Sequence, residues 1–351
     1  MRRMETVQRM RVRMVGSGWK LPHEGGSCFA PARGRHRDPP DRLEQCTPVA
    51  AVGETHSSEG WKKVVTLSVP SPRRRFAQEV DRPDDQVDLA RAALLVAQEE
   101  YPQLPVEPYL SRLDALAEEV KGRLSNETAP LVVLQELLDA LFHRNAFRGN
   151  REAYYDPRNS FLNDVLDRKR GIPLTLGMVL LEVGWRLELP MTGVNFPGHF
   201  LVRFEGEEVR LLVDPFDGGR VRFEDEAQDL LDRVYGGMVR VQPAFLRAAS
   251  RRDMLVRLLT NLKGVYLNAR DHRRALAAVE RILVIHPTSP SEIRDRGTLL
   301  ARMGRTEEAL EQLEWYLDYA PEAADAGRIR TLVEELRTTG GESEGMGGRR
   351  G

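Results

Sequence analysis

The chain has 351 residues, long enough for more than one domain, and its 41% hydrophobic and 30% charged residues are an ordinary soluble composition. With 52 basic against 53 acidic residues the formal net charge is -1, so no global field draws the chain to nucleic acid or to an anionic membrane. No apolar run approaches the roughly 20 residues of a spanning helix, and the 2 cysteines, Cys28 and Cys46, lie in an irregular N-terminal segment, which excludes a disulfide framework or a thiolate metal cage in the folded body. The expectation is a cytoplasmic protein with no cofactor, no metal site and no nucleic-acid or membrane partner.

Residues 1–75 lack sustained periodicity and are rich in Arg, Gly, Pro and Ser, with Met1, Met4, Met10 and Met14 crowded at the start. This composition predicts a disordered extension or a misassigned translation start. It lacks the apolar stretch of a secretory signal. From Asp84 the pattern turns helical. "DDQVDLARAALLVAQEEY" opens with acids and brings Val87, Ala90, Leu94 and Ala97 near one face. "VEPYLSRLDALAEEVKGRL" spaces Leu110, Leu113, Ala117, Val120 and Leu124 by threes and fours, and "TAPLVVLQELLDALFHR" supplies a third helix with Thr128 able to cap and Pro130 in the first turn. These make a helical N-terminal subdomain.

The segment "NAFRGNREAYYDPRNSFLNDVLDRKRGIP" has a loop composition, interrupted by a short helix around Phe161 to Leu166. Long loops inside compact bodies tend to be functional. Asn145, Arg148, Asn150, Tyr155, Arg158 and Asn159 are candidates to bind a small anionic ligand. The alternative is a hydrogen-bonded structural loop that caps the neighbouring helix. "PLTLGMVLLEVGWRLEL" then reads as a buried helix starting at Pro173, with Glu182 and Arg186 an exposed pair four apart.

Past Pro190, "MTGVNF" reads as a strand and "FPGHFLVRFEGEEVRLLVDPFDGG" as a hairpin. With Gly206 and Glu207 as a two-residue type II′ loop, His199 faces Asp214, and Phe200/Val213, Val202/Leu211 and Phe204/Val209 form a wholly apolar face. The other face carries Leu201/Leu212 and an Arg203/Arg210 pair whose like charges repel. Opposite residues have Cβ atoms about 4.5–5.5 Å apart, so imidazole and carboxylate reach each other. His199 and Asp214 are either a mutually satisfied polar pair or the base and orienter of a catalytic triad. The helix that begins near Pro173 offers only Thr175 as a hydroxyl near its first turn, and a Thr hydroxyl is a poor nucleophile unless strongly activated.

Toward the C-terminus, "HRRALAAVERILVIHP" and "TEEALEQLEWYLDYAP" share Ala275/Ala309, Leu276/Leu310, Glu280/Glu314, Leu283/Leu317 and Pro287/Pro321 at a constant offset of 34 residues. That period is the tetratricopeptide signature of stacked helical pairs. Each B helix follows an A helix, "MLVRLLTNLKGVYLNAR" and "SEIRDRGTLLARMG", and "EAADAGRIRTLVEELR" closes the array. Two repeats and a cap are too few for a core of their own, so the array is expected to dock on the preceding domain. "TTGGESEGMGGRRG" reads as a disordered tail.

The motifs "FRGNREAYYDPRNSFLNDVLDRKRGIPLTL", "FPGHFLVRF", "DPFDGG", "NLKGVYL" and "RDRG" together resemble the bacterial SirB-like family, a transglutaminase-like domain followed by tetratricopeptide repeats, over about residues 84–337. The resemblance implies an α+β fold: a helical N-terminal subdomain, a papain/transglutaminase-like core with a small antiparallel sheet, then an all-α tetratricopeptide array. It also implies that His199 and Asp214 occupy the His and Asp positions of a papain-like triad. Pro173, Leu174 and Thr175 stand where the Cys-bearing helix would begin, so the nucleophile is missing. The expected divisions are an extension over 1–75, a transglutaminase-like domain over 84–245, repeats over 251–337 and a tail over 338–351. The expected function is non-catalytic binding of a protein or peptide by the cleft and the tetratricopeptide helices, as a regulatory or scaffold module. The alternative is a hydrolase or acyl transferase using His199 and Asp214 with Thr175 or an activated water.

Overall fold

The structure is a computed structural model that describes residues 71–124, 128–207 and 209–345. The extension expected over 1–75 therefore lies outside the described residues up to residue 70. From residue 71 the expectation is corrected, because helix α1 begins there (Ser71–Val80). Only Phe76 and Val80 anchor it in the core, at 0% and 4% exposure. Ion pairs and hydrogen bonds add to this: Arg73 reaches Glu99 at 2.9 Å and also pairs with Glu280, Glu79 accepts from the Asp88 N–H at 2.7 Å, and Arg252 donates to the Val80 carbonyl at 2.7 Å.

Helix α2 (Leu89–Glu100) starts at Asp88, whose side chain accepts from the Arg91 N–H at 2.8 Å. Asp84–Gln86 is a separate 3-10 turn. Residues Leu89 to Gln98 are buried almost continuously, so α2 is enclosed on all sides instead of showing one apolar stripe. Helix α3 (Val106–Leu124) buries Leu110, Leu113, Ala117 and Val120, the periodic face. In α4 (Pro130–Leu138) Ala129, and not Thr128, takes the N-cap position. A π-helical turn over Asp139–Arg144 continues it, closed by the Asn145 N–H on the Ala140 carbonyl at 2.9 Å.

Two-residue strands β1 (Arg148–Gly149) and β2 (Arg170–Gly171) pair in parallel on either side of α5 (Leu162–Arg168). Helix α6 (Pro173–Arg186) follows and is buried from Pro173 through Gly184. Glu182 is not the exposed residue expected: it is 5% exposed, accepts from the Ala90 N–H at 2.9 Å and holds Arg186 at 2.6 Å. Burial pushes its carboxyl pKa up against the pull of Arg186.

An antiparallel sheet of order β6-β5-β4-β3-β7 comes next, from β3 (Met191–Val194), β4 (Leu201–Glu205), β5 (Arg210–Asp214), β6 (Arg220–Arg222) and β7 (Ala248–Ala249). Phe200, Val202, Phe204, Leu211 and Val213 join the main core with α6. Gly177 of α6 is needed there, since a Cβ would lie 2.5 Å from the Phe200 ring. Leu201 and Leu212 face the other way, into a smaller cluster under α7 (Ala227–Tyr235).

The remaining helices are α8 (Arg251–Asn268), α9 (His272–Ile285), α10 (Pro290–Arg302), α11 (Thr306–Tyr319) and α12 (Ala326–Gly345). As an array of so few units requires, α8 does dock: Leu255, Leu258, Leu259 and Leu262 belong to the same core as α2 and α6. The far end closes on its own cluster of Leu313, Tyr316, Ile329 and Val333. The tail expected from residue 338 is corrected as well, because α12 continues through Gly345. The rest of that tail lies outside the described residues.

Candidate functional site

The hairpin forms, with its register displaced by two residues. Val202 pairs with Val213, Arg203 with Leu212, Phe204 with Leu211 and Glu205 with Arg210. A two-residue shift leaves every side chain on its expected face, because alternation has period two. The turn moves outward: the Gly206 N–H bonds the Val209 carbonyl at 3.0 Å, and Gly206 does not adopt the positive φ that a type II′ turn would require. The change also removes the expected Arg203/Arg210 clash. Arg210 now faces Glu205, and Arg203 bonds the Leu246 carbonyl at 2.7 Å.

His199 precedes β4 and is no longer directly opposite Asp214, but diagonal partners remain within reach of an imidazole. His199 Nε2 lies 2.8 Å from Asp214 Oδ1. An ionised carboxylate only accepts, so Nε2 is the donor in this contact. Asp214 is 2% exposed, and its Oδ1 also takes the N–H groups of Phe216 and Asp217, each at 3.1 Å. Burial pushes its carboxyl pKa up. The His199 hydrogen bond and charge, the Asp217 N–H and the charge of Arg222 outweigh that and hold it below the usual carboxylate range.

The surroundings of the pair come from three parts of the chain. The Phe216 ring lies 6.1 Å from His199 and 5.9 Å from Tyr154, both edge-on, with the Arg151 guanidinium over it at 4.9 Å. From helix α8, Arg257 donates to the carbonyls of His199 at 2.6 Å and Phe196 at 3.2 Å, and to Asn195 Oδ1 at 3.4 Å. It thereby fixes the loop that carries His199. Burial lowers its pKa, and no described carboxylate pairs with it. The bend at Gly198, at φ +66°, is packed against Val234 of α7, where a Cβ would come within 2.8 Å.

Thr175 is not brought into this group. It is 0% exposed; its Oγ1 donates to the Asn159 carbonyl at 2.7 Å and accepts from the Ile172 N–H at 3.2 Å. Among the described residues no hydrogen bond joins it to His199. The loop candidates divide. Asn150 and Asn159 are 4% and 0% exposed and bond each other at 2.9 Å. Asn159 also donates to the Ala153 carbonyl at 2.7 Å, and Asn145 donates to Glu119 at 2.9 Å and to the Ala140 carbonyl at 3.0 Å. These amides are used by the protein itself. Arg158 is turned onto Asp156 at 2.7 Å, Tyr155 is 71% exposed beside Tyr154, and Arg148 is exposed in β1. The six therefore form no single ligand cage. Sequence reasoning missed Arg222, Arg257, Phe216 and Tyr154, although Phe216, inside "DPFDGG", and Tyr154, inside "FRGNREAYYDPRN", stood in motifs already marked.

A model of the transglutaminase-like superfamily matches residues 107–260, and a tetratricopeptide-repeat model matches residues 262–334. A UPF0162 protein of Xylella fastidiosa is 35% identical over 256 residues, covering 72% of this chain and 91% of the relative. The chain belongs to the UPF0162 family. Other members are also similar: one from Vibrio cholerae at 28% over 257 residues, covering 73% of this chain and 95% of its own, and YchA of Escherichia coli K12 at 30% over 243 residues, covering 68% and 87%. The family architecture is the one that the sequence motifs implied, a transglutaminase-like region followed by tetratricopeptide helices. Among the described residues no helix is long and apolar enough to cross a membrane, and no group of three or more His, Cys, Asp or Glu could hold a metal.

Proposed function

We propose that this UPF0162 protein is a binding module in the cytoplasm: a transglutaminase-like domain without a nucleophile, joined to tetratricopeptide repeats, that holds a protein or peptide partner in a regulatory or scaffolding role. Residues 84–245, with α1 packed onto them, and residues 251–337 are its two working parts. The observation that carries this reading is the fate of Thr175. At the helix start where a thiol would stand, the one hydroxyl is sealed from solvent and committed to two backbone groups. Attack on a carbonyl would require both bonds to break and the helix start to open. Stacked helical pairs, for their part, present extended surfaces suited to chains.

The His199–Asp214 pair at 2.8 Å favours one second reading, hydrolysis by an activated water. Incubation of purified protein with a peptide and amide library, followed by mass spectrometry, separates the two. The binding reading expects no cleaved or transferred product, and peptide affinity that survives His199→Ala. Turnover abolished by His199→Ala would overturn it. Turnover abolished by Thr175→Ala as well would restore the Thr175 route.

A further inference from the structure

Arg222 of β6 is 5% exposed, and none of its guanidinium nitrogens makes a hydrogen bond among the described residues; Nε and Nη2 are fully buried without a partner. Buried guanidinium groups are ordinarily paired and hydrogen-bonded. The nearest carboxylate, Asp217, stands at 3.6 Å, beyond a good hydrogen bond. That carboxylate is shared with Arg151 at 3.3 Å and Arg220 at 3.8 Å. The other acid nearby, Asp214, is engaged by His199 and two backbone N–H groups. Three guanidinium groups thus surround a single available carboxylate.

Strand pairing fixes where this surplus lies. Asp214 is opposite Arg220 and Leu212 opposite Arg222, so both arginines share the sheet face of Asp214. Arg233 of α7 adds a further like charge, and with burial and Arg220 it lowers the pKa of Arg222. Beside the cluster Arg151 lies over Phe216, whose ring meets Tyr154, itself 41% exposed. An anion with an apolar neighbour finds both partners there: planar guanidinium forks for a carboxylate and aromatic faces for the side chain next to it.

We propose that Arg222, Arg220 and Arg151 form a subsite for the carboxylate of a peptide partner, that Asp217 is the internal carboxylate the ligand displaces, and that Phe216 and Tyr154 receive the adjoining apolar side chain. The proposal rests on the binding reading above and names the chemistry of its partner. A free C-terminus and an acidic side chain present the same group, so both are tested.

Isothermal titration of the full chain is carried out with three N-acetylated peptides of one sequence ending in an aromatic residue: the free acid, the C-terminal amide, and the amide with an internal Glu. The acid, or the Glu-bearing amide, is expected to bind at least about tenfold tighter than the plain amide, a bidentate charge-assisted pair being worth a factor of that order. Whichever of the two binds tighter identifies the source of the carboxylate. Asp217→Asn removes the competitor and is expected to tighten binding several-fold. Arg222→Met is expected to erase the preference, and the exposed Arg151→Ala, which leaves the sheet face intact, to weaken it. Equal binding of all three peptides would overturn the proposal while leaving peptide binding standing. Binding of none of them would overturn both.

Discussion

The tetratricopeptide helices and the open end of the sheet treat buried charge in opposite ways. Between α8 and α10, Lys263 is 12% exposed and reaches Glu292 at 2.7 Å and Asp295 at 3.0 Å. Arg294 continues the chain from Asp295 to Asp325, each at 2.8 Å, and Tyr316 donates to Asp325 at 2.5 Å. Each of these five charged groups has a partner inside the fold, whereas Arg296 of α10 has a buried Nε without a hydrogen bond and its carboxylate, Glu280, at 4.0 Å. At the sheet end, Arg222 is buried and Arg257 half-buried, and among the described residues they have no carboxylate within hydrogen-bonding distance. A closed network stabilises an interface between repeats. An unmatched guanidinium costs stability and is left with capacity for a ligand.

Removing the cation should therefore act differently in the two places. Lys263→Met strands Glu292 and Asp295 and is expected to cost about 3 kcal/mol in urea unfolding. Arg222→Met removes a desolvated charge that has no hydrogen bond and is expected to cost under about 1 kcal/mol or to stabilise. Equal losses would break the comparison. Next in size, Thr175→Val leaves the Asn159 carbonyl and the Ile172 N–H unpaired in the core and is expected to cost about 1–2 kcal/mol, measured in the same way. A fully stable variant would mean that the hydroxyl is free after all.

The pH dependence sharpens the role of Asp214. Its folded pKa lies below the unfolded value of about 3.9. The stability it contributes is therefore complete above that pH and is lost as pH falls through the folded value, with a slope of at most about 1.4 kcal/mol per pH unit for the one proton. Asp214→Asn should flatten that acid limb in denaturation measured between about pH 4 and 2. An unchanged limb would place the proton uptake elsewhere. The smallest effect is expected at Arg158: its partner Asp156 is its own local turn, and Arg158→Ala should leave the melting temperature unchanged.

Periodicity made much of this architecture legible. The face of α3 and the repeat of α9 and α11 follow from spacing alone, since their partners are adjacent in sequence or one repeat away. Helix α1 was hidden because two of its main ties, Arg73 to Glu99 and to Glu280, span 26 and 207 residues. A stretch with three consecutive arginines gives no apolar stripe to read. In the hairpin the glycine at 206 suggested a turn that forms two residues later in register, yet the face of each side chain was right. That is why the His199–Asp214 contact survived the wrong pairing. Thr175, Asn150 and Asn159 were visible as polar residues, but whether a polar side chain turns inward or outward depends on tertiary contacts. Arg222 was least legible of all, because lacking a partner is a property of the fold.

The central claim is that this fold binds without catalysing. Its most direct test is mass-spectrometric analysis of a peptide and amide library incubated with the wild-type chain and with His199→Ala. The account predicts identical, unaltered libraries from both. Cleaved or acyl-transferred products from the wild-type chain, absent with His199→Ala, would contradict it.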